Sequence, residues 1–450
     1  MAGLIGTLRT LWAYAQARRN FTRWPDRRAL EAWQDRQVRA HLRRILPRSE
    51  FYRGRYAGLD LHAWRDFPVI EKRDMMEHFG TLNTVGLRRD EAFATALRAE
   101  ESRDFRPVLR GITVGLSSGT SGSRGIFLAS DAERQRWAGT MLARILPGGL
   151  RRKHRAALLL RANSNLYETI AGRRLAFRFF DLFSPWEALA ENLARYAPTL
   201  LVAPPSALLR LAESRKWEPV ERVVAAAEVL EPQDAEKIAA AFHCGRIHQI
   251  YQATEGFIAT TCEHGSLHLN EDVLAVQRED IGGGRFVPIL TDFRRTTQPI
   301  LRYRLNDILR LREKPCACGS IFTAIESIEG RCDDTLTAPS LADGTPVEIF
   351  ADFIRRAFLT AHAAISEYSL TQRDQTWAVS FIAPDDQDSA ARTALSVALQ
   401  NVCTHFGAQC PPLVFTAYTP PRVGEKLRRI RRTGAPKPQP HRENADNFSP

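Results

Sequence analysis

The chain has 450 residues, 44% of them hydrophobic, and a formal net charge of +12. That length exceeds one ordinary core, so two domains are expected, and no run of about 18 uninterrupted apolar residues exists to cross a membrane. Residues 1–50 carry +7 and residues 422–450 carry +5, which leaves the rest formally neutral and argues against a broad nucleic-acid groove.

The first elements read as helix. Leu4, Leu8, Leu11, Trp12 and Ala15 recur at three- and four-residue steps. A membrane-surface helix would show the same stripe with arginines opposite, but packing onto the large domain is the preferred expectation. Residues 29–46 continue in the same style, and a helical lead-in over residues 1–80 follows. Leu4-Ile5-Gly6-Thr7-Leu8-Arg9 breaks off before a signal-peptide core develops. Seven cysteines in a chain of this size do not form a disulfide framework pattern, so a reduced, cytoplasmic setting is expected.

Residues 112–116 read as a strand that runs into Ser117-Ser118-Gly119-Thr120-Ser121-Gly122-Ser123-Arg124-Gly125. Glycines let successive amides turn toward one anion, hydroxyls add donors and Arg124 adds charge, which suits a phosphate-cradling loop. The Walker spacing is absent. Beyond it, strands at 156–160, 200–202 and 220–226 alternate with helices at 186–196, 206–213 and 234–242. Ser184 is the expected cap of the first of these helices, with Pro185 in its first turn. This alternation predicts a layered α/β core.

Residues 267–311 alternate as in a small β-rich subdomain. A boundary falls near residues 330–334. After it, a helix at 347–360, a hairpin at 364–382, a helix at 389–406 and a strand at 413–417 predict a compact α+β module of about a hundred residues. From Thr433 the chain is rich in proline and polar residues and reads as disordered. The predicted domains are 1–330, 331–432 and a tail, 433–450.

Four further segments follow the glycine-serine run in order: Tyr251-Gln252-Ala253-Thr254-Glu255-Gly256; Arg302-Tyr303-Arg304-Leu305-Asn306-Asp307; Gly330-Arg331-Cys332-Asp333-Asp334; and Gly424-Glu425-Lys426-Leu427. This succession resembles the adenylate-forming ligases (acyl-CoA synthetases, luciferases and adenylation domains) over roughly residues 1 to 430. Within them it resembles the phenylacetate-CoA ligase and coenzyme-F synthetase-related branch, which shares the Arg-Tyr-Arg run, a Cys-x-Cys-Gly and a helical lead-in.

The resemblance implies a large α/β ATP- and substrate-binding domain followed by a small mobile lid. It implies ATP and magnesium as cofactors, a small carboxylate as substrate, with aromatic acids among the candidates, and a thiol or amine as acyl acceptor. Ser117, Ser118, Gly119, Thr120, Ser121, Gly122, Arg124 and Gly125 would hold the β- and γ-phosphates, with Arg124 where lysine is frequent in the family. Glu255 would ligate magnesium, and Thr254 would sit at the α-phosphate beside Tyr251. Asp307 would accept from the ribose hydroxyls. Arg331 would reach the nucleotide, Asp333 would be the hinge with Asp334 as the second choice, and Lys426 would bridge the α-phosphate and the acyl oxygen. Glu228 resembles a position near the adenine.

Two features stand apart. Cys316-Ala317-Cys318-Gly319 has the tight turn of a zinc knuckle, and Cys262, His264 or His268 would complete a closed, structural site. After the hinge, CoA-using relatives carry a lysine and a glycine pair, but Thr335-Leu336-Thr337-Ala338-Pro339-Ser340 has neither. CoA use is therefore open. Adenylyl transfer to a hydroxyl, as in the coenzyme-F synthetase reading, and a catalytically idle nucleotide-binding protein stand as alternatives.

Overall fold

The computed structural model describes residues 2–103, 106–117, 124–160, 174–332, 335–421 and 427–433. Contacts divide the chain into two compact units. One is Met1–Ile328 with Pro421–Leu427, and the other is Glu329–Pro420 with the chain from Arg428 onward.

The first unit begins with helices α1 (Ala2–Asn20), α2 (Arg27–Ile45), α3 (Glu50–Arg55), α4 (Lys72–Glu77), α5 (Phe79–Leu82) and α6 (Arg89–Ser102). Asp26 starts α2, its carboxylate accepting from the Ala29 amide and satisfying a donor that the helix leaves free. Leu42, Ile45, Tyr52 and Trp64 pack against Phe286, Tyr303 and Leu309, so the lead-in is core to the β-rich half. Helix α1 packs onto the large unit as expected, but not by its stripe: Leu8, Leu11 and Trp12 are exposed, and the helix docks through small residues such as Ala13 and Ala17.

A three-stranded antiparallel sheet, β1 (Val108–Leu109), β2 (Ile112–Leu116) and β3 (Ile126–Ala129), carries the ends of the glycine-serine run. Helix α7 (Asp131–Ile145) follows. The large sheet then takes β4 (His154–Leu160), β5 (Leu175–Asp181), β6 (Leu200–Ala203), β7 (Arg222–Ala226) and β8 (Ile247–Ala253) as parallel strands in the order β5-β4-β6-β7-β8. Every residue of β6 is buried, as expected for a parallel strand covered on both faces. Helices α8 (Trp186–Tyr196), α9 (Pro205–Ser214) and α10 (Pro232–Ala241) supply crossovers. Ser184 does not cap α8; Pro185 holds that position with no side-chain bond.

From β8 the same sheet turns antiparallel through β9 (Gly256–Thr261) and β10 (Leu267–Leu269), then on to β15 (Ala324–Arg331), β14 (Asp307–Leu311), β12 (Arg285–Asp292) and β11 (Leu274–Gly282), with β13 (Ile300–Arg304) paired to β12. This parallel arrangement puts the loops after β7 and β8 at one end of the sheet. Open α/β sheets bind ligands outside the carboxyl ends of their strands.

The second unit pairs β16 (Leu336–Pro339) with β17 (Pro346–Ile349) and builds a four-stranded sheet from β18 (Glu367–Arg373), β19 (Thr376–Ile382), β20 (Leu413–Phe415) and β21 (Ile430–Thr433). Helices α11 (Ala351–Ala361) and α12 (Asp385–His405) share its core with Trp377 and Tyr368. Two expectations are corrected. Residues 347–349 are strand, because they are paired with β16, and the helix begins only at Ala351. Thr433 belongs to β21, where it pairs with Arg373 and its hydroxyl donates to the Gln372 carbonyl at 2.9 Å.

That pairing moves the point at which the tail can be cut. Deletion of residues 434–450 is expected to leave the melting temperature at its wild-type value, because the segment has almost no large apolar groups to bury. Deletion from Thr433 onward should lower stability measurably, since it strips the last ladder position of β21. Thermal unfolding of the two truncations, run side by side, decides the boundary.

Candidate active site

The turn between β8 and β9 is only two residues long, Thr254 and Glu255, and it forces both side chains to the strand end. The Thr254 hydroxyl donates to Glu255 Oε2 at 2.8 Å, and the Tyr303 hydroxyl donates to Glu255 Oε1 at 2.9 Å. Glu255 is buried, so these bonds hold a carboxylate away from bulk water. Burial, and then the adjacent Glu255 charge, push the Tyr303 hydroxyl well above its ordinary pKa, so it remains a proton donor to that carboxylate.

Beside this pair, the Tyr251 hydroxyl donates to Asp307 Oδ2 at 2.5 Å. Tyr251 comes from β8 and Asp307 opens β14, so residues 56 positions apart meet. The structure thus gathers Tyr251, Thr254, Glu255 and Asp307 from the sequence-derived set. It also adds Tyr303, which lies between the two arginines that the sequence makes conspicuous. Those arginines turn elsewhere: Arg302 Nε donates to the Phe67 carbonyl, and Arg304 grips Glu279 at 2.6 and 2.8 Å.

Ser117 and Gly125 close the neck of the glycine-serine loop. The Gly125 amide donates to Ser117 Oγ at 2.7 Å, and the Ser117 amide to the Gly125 carbonyl at 2.8 Å. Arg124 donates to both oxygens of Glu100 on α6, at 2.6 and 2.8 Å. A ligand phosphate would have to compete with that carboxylate. The Lys72 side chain lies at the same neck, its Cε 3.5 Å from where a Cβ on Gly125 would stand. Ser118, Gly119, Thr120, Ser121 and Gly122 lie outside the described residues, as do Asp333, Asp334 and Lys426. Arg331 ends β15.

A hydrogen-bond relay joins the strand after that loop to the turn. Gln298 accepts from the Leu128 amide of β3 at 3.0 Å and from Arg295 Nη2 at 2.7 Å. Arg295 Nη1 in turn donates to the Thr254 carbonyl at 2.5 Å. Glu133 on α7 fixes the segment before Gln298 by accepting from the Thr296 and Thr297 amides and hydroxyls. Burial opposes the Glu133 charge, yet these bonds and those from Ser130 still hold its carboxyl below the ordinary value. Asp292, 3.7 Å from a Cβ built on Gly256, is a further buried carboxyl whose pKa burial pushes up.

A third constellation lies on the β9–β10 hairpin and the 312–323 connection. Cys262, His268, Cys316 and Cys318 point their ligand atoms to one spot, all within 4.8 Å of one another. Cys262 Sγ and Cys316 Sγ are 3.6 Å apart, and Cys318 Sγ and His268 Nε2 are 3.4 Å apart. Bonds of about 2.3 Å to sulfur and about 2.0 Å to nitrogen, at tetrahedral angles, require separations of about 3.8 and 3.5 Å. His268 Nδ1 lies 2.9 Å from the Phe322 carbonyl, which fixes the tautomer that leaves Nε2 facing the sulfurs. Burial opposes the Cys316 thiolate, but Ser266, the Cys318 amide and His268 draw its pKa down to about 5.

No protein-family model matches the chain, and no curated protein matches it. Among solved structures it is similar to 2-hydroxyisobutyryl-CoA ligase in the postadenylation state in complex with 2-HIB-AMP, with a TM-score of 0.67, 17% identity and coverage of 91% of this chain and 90% of that one. The open conformation of that ligase in complex with 2-HIB-AMP and CoA gives 0.57, 17% identity, and 88% and 90%. ATP-bound MatB from Rhodopseudomonas palustris gives 0.50, 12% identity, and 70% and 66%. The chain therefore has the fold of the adenylate-forming ligases.

Proposed function

We propose that this chain is an ATP- and magnesium-dependent adenylate-forming ligase. It activates a small carboxylate as acyl-AMP, releases pyrophosphate, and passes the acyl group to a thiol or amine. The observation that carries this reading is the convergence of Tyr251, Thr254, Glu255 and Asp307 at one end of the large sheet, in a fold whose solved neighbours include complexes with an acyl-AMP and with ATP. Asp307, presented by Tyr251, accepts from the ribose hydroxyls. Thr254 meets the α-phosphate. Glu255, held by Tyr303, is a hard oxygen ligand for magnesium, which supplies charge neutralisation on the phosphates.

Ser117–Gly125 cradles the β- and γ-phosphates, with Arg124 and Lys72 as the cations at its neck. Arg331 follows the nucleotide, Asp333 is the hinge, and Lys426 stabilises the charge that develops between the α-phosphate and the acyl oxygen. Two features support Lys426 in that role. Leu427, next in the chain, donates its amide to Glu228 Oε1 at 3.2 Å, and Glu228 follows β7 at the sheet end shared with the β8 turn. The preceding residue, Ala227, is held at φ 69°, a strained choice for alanine that aims the turn.

The Cys262–His268–Cys316–Cys318 set fits tetrahedral zinc. Four protein ligands leave no open position, so the ion is structural and takes no part in the reaction. The free cysteines suit a reducing, cytoplasmic setting.

A second reading has an observation in its favour. Residues 336–339 form β16, in the region where CoA-using relatives carry a lysine and glycines. Adenylyl transfer to a hydroxyl keeps AMP on the product and needs no thiol tunnel. Pyrophosphate exchange with a panel of carboxylates, run with and without CoA, tests both. Carboxylate-dependent exchange with AMP release supports the ligase. Exchange that no carboxylate stimulates, with AMP retained on a hydroxyl-bearing product, overturns it.

A further inference from the structure

The outer side of α1 is made of residue types that elsewhere in this chain form core. Ile5, Leu8, Leu11 and Trp12 are 54%, 59%, 46% and 58% exposed. Their spacing sets them on one side of the helix. They are four of the eleven exposed large hydrophobics among the described residues, gathered within eight positions. The opposite side is small and fully used. A Cβ on Gly139 of α7 would stand 2.3 Å from the Thr10 carbonyl oxygen, so the two helices touch backbone to backbone there. The small side fixes α1 in place, and the large apolar side faces outward as a consequence.

The charge that α1 itself carries has one sign only. Arg9, Arg18 and Arg19 lie on α1, which has no acidic residue, and the first acid in the chain is Asp26. Next to the helix is a cleft of about 430 Å³ lined by Tyr14, Arg18, Gly148, Leu150, Arg151 and Arg174, with no carboxylate among the described residues that line it. The cleft is shaped by its own bonds. Tyr14 Oη accepts from the Leu150 amide at 3.2 Å, and Arg174 Nη1 donates to the Arg151 carbonyl at 2.6 Å. Three guanidinium groups therefore border an apolar ridge.

We propose that α1 and this arginine cleft form a docking face for an anionic membrane surface. Leu8, Leu11 and Trp12 enter the interfacial layer, and the arginines meet lipid phosphates. A second copy of this chain suits the face poorly. A two-fold pairing through α1 would bring the same arginines against one another, with no acid on the helix to offset them. The face is independent of the reaction assigned to the sheet.

The test is co-sedimentation of the full chain with vesicles of phosphatidylcholine alone and with vesicles containing phosphatidylglycerol. Binding is expected to the anionic vesicles only, and to fall about tenfold or more in Leu8→Glu/Trp12→Glu and in Arg151→Glu/Arg174→Glu. Deletion of residues 434–450 should leave it intact. All four substituted positions are exposed, and the arginine variant probes the same face without altering α1. Three results would overturn the proposal: no vesicle binding by the wild type, binding that survives both double variants, or binding that disappears with the tail. A dimer that Leu8→Glu/Trp12→Glu converts to monomer, without vesicle binding, would make the face a homodimer interface and sink the proposal equally.

Discussion

Lys426→Ala is expected to lower carboxylate-dependent pyrophosphate exchange on the order of a hundredfold or more, with the fold and ATP affinity close to wild type. The proposed role is confined to the transition state, where negative charge develops between the α-phosphate and the acyl oxygen. A preorganised group that acts only there is worth about 2.7–4 kcal/mol, by analogy with the loss of an oxyanion donor. The loss should fall on kcat, with KM for ATP little changed, because in the proposed site the phosphates would keep the glycine-serine loop and the ion on Glu255. Lys426→Arg should recover only part of the rate. Arginine keeps the charge but replaces a compact point charge with a wide planar fork. Exchange by the alanine variant at the wild-type rate would take Lys426 out of the mechanism and leave Arg124, Lys72 and Arg331 as the cations to examine.

The sequence was most legible where chemistry and local structure coincide. Leu200-Leu201-Val202 reads as a strand from its unbroken apolar run and Trp186–Tyr196 as a helix after Ser184-Pro185, and both elements occur there although Ser184 does not supply the cap. The two-residue Thr254-Glu255 turn is conspicuous because it breaks an apolar run. The cysteine set is also legible, since Cys316 and Cys318 flank a tight turn and Cys262 and His268 a short hairpin.

Other features depend on partners far along the chain. Residues 347–349 look helical until β16 pairs with them. The outward stripe on α1 resembles a core stripe because periodicity gives the spacing of apolar residues but not which side meets the protein. Tyr303 reaches Glu255 across 48 positions, and nothing in Arg302-Tyr303-Arg304 marks the tyrosine over its charged neighbours. The tie between Arg124 and Glu100 is equally hidden, because α6 and the glycine-serine loop become neighbours only once the chain has folded.

Replacing Cys316 and Cys318 together by serine is expected to abolish stoichiometric zinc and to lower the melting temperature by about 8 °C, with nucleotide affinity nearly unchanged. An ion present at a thousandfold above its dissociation constant contributes about 4 kcal/mol to the folded state. In a chain of this size each kcal/mol shifts the melting temperature by about 2 °C. Stability is the sensitive readout because of what the four side chains join. His268 is on β10 at the middle of the large sheet, and Cys316 and Cys318 hold the connection from β14 to β15. Phe21 lies edge-on to His268 with ring centroids 5.6 Å apart, and it also packs on Phe322, so the lead-in rests on the same cluster. Chelation of the wild type should reproduce the serine variant's melting temperature, and added zinc should restore the wild type alone. Metal analysis of protein prepared without chelator is expected to give about one zinc per chain, with sulfur at about 2.3 Å by X-ray absorption. Metal-free protein with wild-type stability would show that the thiols close on one another through hydrogen bonds alone.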